Sequence, residues 1–500
     1  MSLIFVSLTT SVLWTGCKEQ IKEYPNVVFI LADDMGYGDP QCYNPGSKIS
    51  TPQLNKLAEE GMRFTDAHSP SSVCSPTRYG ILTGRYAWRT QLKQGALWPY
   101  DYTLIKKDRV TLPKVFKSYG YHTACFGKWH LGWNWSLNEP SDKPWVFGAM
   151  KTGEHIDHTK PIGGGPLEAG FDYYFGVDAP NLPPYCFIEN NRIVGTLSGS
   201  KKPNDLFFGS SGLMQEGWDI HKVLPEIESR AVRFIKKQAA IEAPFFIYLP
   251  LTGPHTPIVP VKSFAGKSSA GDYGDFVTQC DGVVGSVVLA LKESGQYQNT
   301  IIVFTSDNGS PGRAGDPFLR EKEWGDLSSV KKMFEHDPSY PWRGVKADIW
   351  EGGHRVPCIV QWPDKIKKGA VSDQSICLTD FYATFASLLD YKIKNNEGED
   401  SFDLLSVLLN RGKSSRDHLV HHSSNGIFSI RKDGWKYIPH LGSAGMSPPN
   451  KVKPEKGGPT GQLYSLKDDP KEQNNLWLKM PEKVAELEQL LEKIKNQTTD

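Results

Sequence analysis

The chain opens its folded part with a continuous apolar run, Asn26-Val-Val-Phe-Ile-Leu-Ala32, the pattern of a strand covered on both faces. Residues 51–63 then predict a helix, with Thr51 as cap, Pro52 at its first position and Gly61 near its end. Further helices are expected over 111–119, 226–238 and 277–294, each followed by a short apolar strand, at 123–126, 244–249 and 300–305 respectively. Helices alternating with buried strands give an α/β fold class, an open parallel sheet with helices on both faces. Ligands in such sheets bind beyond the carboxyl ends of the strands, so the residues that follow each strand matter most.

After a helix over 378–389, charge and glycine rise in Asn395-Asn-Glu-Gly-Glu-Asp400. Shorter strand-like pieces follow at 426–431 and 434–439, then a loop rich in Gly, Pro and Lys, and an amphipathic helix over 481–495. The expected organisation is a large domain over 25–409 and a smaller antiparallel C-terminal one over 410–500. Two domains also suit 500 residues, more than one core usually organises.

Residues 3–15 are mostly apolar, uncharged and too few to span a bilayer. They suit the core of an export signal, and Gly16-Cys17 resembles a bacterial lipoprotein cleavage site with Cys17 as the lipidated residue. Trp14 is bulky for such a site and no Lys or Arg precedes the run; a first strand is the alternative. The expectation is residues 1–24 as signal and tether, with a periplasmic or cell-surface enzyme.

Charge removes some partners. Lys and Arg total 57 against 56 acidic residues, so no overall field favours nucleic acid or an acidic membrane. Eight scattered cysteines are too few for a disulfide framework, and no CxxC pair suggests zinc.

The chemistry gathers at the strand ends. Asp33-Asp34 follow the strand 26–32, and Asp307-Asn308 follow the strand 300–305. Four oxygen donors without His or Cys suit a hard cation, Ca2+ or Mg2+. Each pair alone is also what a turn or helix cap uses. Positive charge falls near the same edge: Arg78, Lys128, His130, His255 in Gly253-Pro-His255, and Lys346. Cations around a metal bind a tetrahedral oxyanion and stabilise charge on a leaving oxygen.

The segment Cys74-Ser-Pro-Thr-Arg78, with Tyr79-Gly-Ile-Leu-Thr-Gly84 after it, resembles the sulfatase signature in which the cysteine becomes formylglycine. Gly120-Tyr-His-Thr-Ala-Cys-Phe-Gly-Lys-Trp-His130 resembles the family's second signature, and Leu463–Glu472 its C-terminal domains. The resemblance runs from about Pro25 to the C-terminus. It implies the alkaline phosphatase superfamily fold, with a mixed, mostly parallel sheet. It also implies a maturation enzyme for Cys74, and Ca2+ held by Asp33, Asp34, Asp307, Asn308 and the modified residue 74. Arg78 and Lys128 would orient the aldehyde hydrate, and Lys346 and His255 would contact sulfate, with His255 the acid for the departing alcohol. His130 would hydrogen-bond the hydroxyls of residue 74.

One departure stands out. Many sulfatases carry a sulfate-contacting serine where this chain has Phe175-Gly-Val-Asp-Ala-Pro-Asn181, and Asp178 or Asn181 are its candidate replacements. The expected substrate is a sulfated saccharide. Tyr86–Gln91 and Gly153–His158 are candidate sugar contacts, with ordinary loop packing the alternative. A phosphomonoester or phosphonate monoester hydrolase and a non-catalytic glycan-binding protein are the rival functions.

Overall fold

The computed structural model describes residues 24–139, 148, 153–201, 211–313 and 329–497. The apolar run 3–15 and Cys17 lie outside the described residues.

The first apolar run forms β1 (Asn26–Asp33), buried from Val27 onward. Its side chains alternate between two cores: Val27, Phe29 and Leu31 enter one, Val28, Ile30 and Ala32 the other. Next come α1 (Pro52–Glu60), β2 (Met62–Phe64), α2 (Cys74–Thr83), α3 (Leu112–Ser118), β3 (His122–Lys128) and β4 (Tyr173–Val177). They are followed by β5 (Ile188–Glu189), β6 (Arg192–Ile193), α4 (Val223–Gln238), β7 (Phe245–Pro254), α5 (Gly271–Glu293) and β8 (Thr300–Ser306). β9 (Cys358–Gln361), β10 (Ala370–Ser372) and α6 (Asp380–Leu388) complete the large unit.

Ten strands make one sheet in the order β10-β2-β9-β8-β1-β7-β3-β4-β5-β6. The centre is parallel: β1 pairs with β7 and β8, β7 with β3, and β3 with β4. Antiparallel pairs enter through β9, on β8 and β2, and through β5, on β4 and β6. The sheet is therefore mixed and mostly parallel. Buried residues of α1, α4 and α5 fill the core on one face, and those of α2, α3 and α6 the core on the other.

The helix expected over 51–63 is shorter than its pattern. It stops at Glu60 because the backbone of β9 passes close by, and a Cβ on Gly61 would lie 2.5 Å from the Val360 carbonyl oxygen. Met62–Phe64 then pair with Cys358–Val360 as a strand. Thr51 occupies the cap position but does not cap; its hydroxyl accepts from the Gln41 N–H at 3.0 Å. The first N–H groups of α1, on Gln53 and Leu54, are instead received by Asp281 of α5, at 3.1 and 2.8 Å.

A separate antiparallel sheet follows, built from β11 (Leu419–His422), β12 (Phe428–Lys432), β13 (Trp435–Ile438) and β14 (Gln462–Ser465), with α7 (Pro481–Lys495) against it. Leu487, Leu491 and Ile494 of α7 pack with Leu419, Ile430 and Tyr437. Tyr86 and Trp88 belong to this same core, buried and stacked at 5.5 Å, so the Tyr86–Gln91 segment packs the C-terminal sheet and offers no ring to a sugar at those positions. The described cysteines, Cys42, Cys74, Cys125, Cys186, Cys280, Cys358 and Cys377, are all free thiols.

Candidate functional site

The acidic residues arrive on the two central strands. β1 ends at Asp33, and Asp34 turns back with a positive φ of 69°. Asp307 and Asn308 continue from β8, β1's parallel neighbour, so both pairs meet at one carboxyl edge. The backbone N–H of Asp34 donates to Asp307 Oδ1 at 3.1 Å, and the Asn308 amide donates to Asp34 Oδ1 at 2.7 Å. All four residues are almost wholly buried.

Three cations neutralise this edge. Lys128, the last residue of β3, places Nζ 2.8 Å from Asp33 Oδ2. It gets there because Gly127 lets β7 approach; a Cβ at that position would sit 1.8 Å from the Pro250 carbonyl oxygen, and φ is +131°. Arg78, one turn into α2, directs Nε and Nη2 to Asp307 Oδ2 at 3.1 and 2.7 Å and Nη1 to the Lys128 carbonyl at 2.9 Å. Lys346 reaches both oxygens of Asp34, at 2.6 and 2.8 Å, and lies 3.5 Å from Cys74 Sγ.

Burial penalises the charge on Asp33, but Lys128, His255, Arg78 and Lys346 together hold its carboxyl well below the usual carboxylate range. Burial, and then the charge of Asp33, push Asp307 up to about 6 against the pull of Arg78 and Lys128. Of the two carboxyls sharing Arg78, Asp307 is thus the first to give up its charge. Burial works against Lys346 too, yet Asp34 leads a set of acidic neighbours that raise its pKa.

Cys74 stands at the first position of α2, 3% exposed, with Sγ 3.8 Å from Asp33 Oδ1. His255 follows β7 directly and puts Nε2 3.7 Å from Asp34 Oδ2. His130, also with positive φ, donates from Nε2 to the Leu97 carbonyl at 3.0 Å, while its Nδ1 is buried without a partner. Burial, then Lys128, push its pKa down to about 3, so the ring is neutral. The structure thus gathers Asp33, Asp34, Cys74, Arg78, Lys128, His255, Asp307, Asn308 and Lys346 into one cluster. His130 stands beside it, bonded to the Leu97 carbonyl and to no atom of residue 74.

Asp178 is a buried residue of the same wall, accepting from the Trp133 indole at 3.0 Å, with its pKa raised by burial and drawn down by His130 and Lys128. Of Asn181, the backbone carbonyl accepts from the Tyr185 hydroxyl at 3.1 Å. His158 packs among the rings of Tyr100 and Trp135, centroids 5.8 and 5.7 Å away.

Some residues that hold the site gave no signal in the chain's pattern. The His422 carbonyl of β11 accepts from Ser71 Oγ and from the Ser72 N–H, each at 3.2 Å, just before Cys74. The Ala347 N–H donates to the Ser72 carbonyl at 2.8 Å, and the Ala347 carbonyl accepts from Ser424 N–H at 3.0 Å. The C-terminal sheet therefore ties the loop before Cys74 to the loop carrying Lys346.

The donor set fits a hard divalent cation. Three carboxylates and an amide oxygen converge, and Asn308 Oδ1 is buried with no hydrogen-bond partner of its own. Asp33, Asp34, Cys74 and His255 offer ligand atoms within 4.8 Å of one another. A second buried cluster, His68, His354 and His421, fits a metal poorly. His354 and His421 stack face to face at 3.9 Å, and Lys436 Nζ lies 3.1 Å from His354 Nε2.

Comparison with known proteins gives one consistent picture. A family model described as Sulfatase matches residues 25–391. An N-acetylgalactosamine-6-O-sulfatase of Bacteroides thetaiotaomicron is 31% identical, over 97% of this chain and 97% of its own length. Human arylsulfatase A is 30% identical over 85% of this chain and 76% of its own. A solved structure from work on glycosaminoglycan metabolism by Bacteroides thetaiotaomicron superposes with a TM-score of 0.81 at 30% identity, covering 95% of this chain and all of that one (100%).

Proposed function

The chain belongs to the sulfatase family, an enzyme hydrolysing sulfate esters, and from that premise we propose that it acts on sulfated saccharides with an aldehyde made from Cys74 and a calcium ion beside it. The observation that carries this reading is the position of Cys74: at the head of a buried helix, 3.8 Å from Asp33 and 3.5 Å from Lys346.

Conversion of Cys74 to formylglycine supplies a hydrated aldehyde with two hydroxyls on one carbon, one to attack sulfur and one to lose its proton as sulfate is expelled. Asp33, Asp34, Asp307 and Asn308 would hold the calcium ion, which lowers the pKa of the attacking hydroxyl. Lys128 and Arg78 fix the carboxylates behind residue 74 and keep their charge balanced. Lys346 and His255 would bind the sulfate oxygens, while the charge grows on the ester oxygen that departs as its S–O bond breaks. His255 gives a proton to the departing alcohol, a contribution of about 10²–10⁴-fold. His130, neutral, keeps an unpartnered Nδ1 that would accept a hydrogen bond from the hydroxyls of residue 74. Asp178, in the stretch where many sulfatases carry a sulfate-contacting serine, is bonded to the Trp133 indole and lies near Lys128 and His130.

The saccharide substrate is supported by the names of the relatives, an N-acetylgalactosamine-6-O-sulfatase among them. A maturation enzyme for Cys74, and export to the periplasm or cell surface on the strength of residues 3–17, complete the proposal. Peptide mass spectrometry of active protein should find an aldehyde oxygen in place of the thiol at residue 74. Sulfate release from a panel of position-defined sulfated saccharides then tests the substrate. Fully active protein with an unmodified Cys74 would sink the mechanism.

A further inference from the structure

Beside the site lies a cleft of about 620 Å3 that the reaction does not use, a volume typical of ligand pockets. Its walls come from two distant parts of the chain: Lys331, Tyr340, Trp342 and Arg343 on one side, Lys471 and Gln473 on the other. Three cations face a single acid, Asp337, which is already paired with Lys331 at 2.5 Å. Over the whole chain the formal charge is +1, so this excess is local. Lys471 is exposed and has no ion pair among the described residues.

The floor is rigid. Arg355 lies 3.7 Å over the Trp342 ring and Tyr37 meets that ring edge-on at 5.7 Å. Arg343 stacks 3.6 Å over Trp350 and donates to the Glu472 carbonyl. Above this floor Tyr340 is 49% exposed, a large ring left facing solvent. Fixed aromatic surface costs little side-chain entropy to bind against, and a ring beside amide and cationic groups is the complement of a sugar that carries negative charge. A cation is excluded by the charge of the cleft, and an apolar peptide by its polar rim.

The cleft also adjoins the reaction centre along the chain. Arg343 precedes Lys346 by three residues, a reach of at most about 10 Å. The Pro338 carbonyl on its other flank accepts from the Gly38 N–H at 2.7 Å, just beyond Asp34.

We propose that this cleft is a second binding site, for an anionic sugar unit of a polymeric saccharide, built on Tyr340 and Lys471. The inference rests on the saccharide reading given above. Its test uses full-length protein carrying Cys74→Ala, which cannot turn substrate over, and a chondroitin sulfate decasaccharide as probe, with uncharged dextran as control. Calorimetry should show binding of the sulfated probe but not of dextran, weakening as salt rises. Adding Tyr340→Ala and Lys471→Ala should weaken it about tenfold or more with thermal stability unchanged. Equal affinity in the two proteins, equal binding of dextran, or no binding of the sulfated probe would each overturn the proposal. Sulfate release by the mature enzyme is scored separately. Release with an unchanged affinity would defeat the cleft alone; weakened binding in a protein that frees sulfate from no saccharide would defeat the substrate reading alone.

Discussion

Arg78 Nη2 lies 2.7 Å from Asp307 Oδ2, and neither side chain has any exposed surface. Nη2 is also 3.5 Å from Asp33, so one guanidinium serves two buried carboxylates. Replacing Arg78 by Ala leaves both without it, at an expected cost of about 3–5 kcal/mol in denaturant unfolding. Arg78→Lys restores charge but not three directed N–H groups, and should fall between. In Arg78→Ala/Asp307→Ala part of the loss should return, because one stranded charge is gone. A stability for Arg78→Ala equal to the parent's would show that the pair carries nothing.

His255 and Asp307 are expected to fail differently. Asp307→Ala removes a metal donor, so activity should collapse for every substrate. His255→Ala should leave the metal bound and remove the proton donor. Its loss should be severe for sugar sulfates, whose alkoxide departs poorly, and much milder for an aryl sulfate. The ratio of the two kcat/KM values in His255→Ala against the parent is the measurement. An unchanged ratio means that the acid lies elsewhere, with Lys346 the next candidate.

Removing divalent cations with a chelator should lower both activity and unfolding temperature, because the clustered carboxylates lose a shared counter-charge. Calcium should restore both, and calorimetric titration should find one tight site that Asn308→Ala weakens. A chelated protein with unchanged unfolding temperature and full activity would remove the metal from the reaction.

His422, whose carbonyl fastens the loop before Cys74, supplies a pH dependence of stability. Burial pushes its pKa from 6.5 down to about 4. The unfolded chain therefore takes a proton that the folded chain refuses. The stabilisation is complete above pH 6.5 and lost as pH falls from there toward 4, up to about 3 kcal/mol. His422→Gln should flatten the dependence of unfolding free energy on pH over that interval. Equal slopes in variant and parent would show that other groups set it.

The buried strands and the acidic pairs after them were legible because burial on both faces and strand-end placement leave local marks. The long apolar run of β1 needs no partner to be recognised, and Asp33 and Asp307 follow from where such strands end. What stayed hidden depends on distant partners. Met62–Phe64 extends a helical pattern until β9 claims it. The cap of α1 comes from Asp281, 227 residues away from Leu54. Tyr86 and Trp88 resemble exposed sugar contacts until the C-terminal sheet covers them. His130 is marked by its signature, but its hydrogen bond to Leu97 is written nowhere near it.

The burial of Cys74 makes its chemistry a question of timing. Every residue of α2 is buried, and the loop before it is fastened to His422. Once that fastening is made, no protein-sized catalyst can reach the thiol. A chain that folds with the thiol intact is sealed in that state until it unfolds. Since 351 residues separate Ser71 from His422, ribosomal synthesis at about 5–20 residues per second leaves roughly 20–70 s before the seal can form. If Cys74 is converted as proposed, the yield of competent enzyme is a race between that oxidation and the emergence of the chain as far as His422, lost more often when translation is fast or the maturing catalyst scarce.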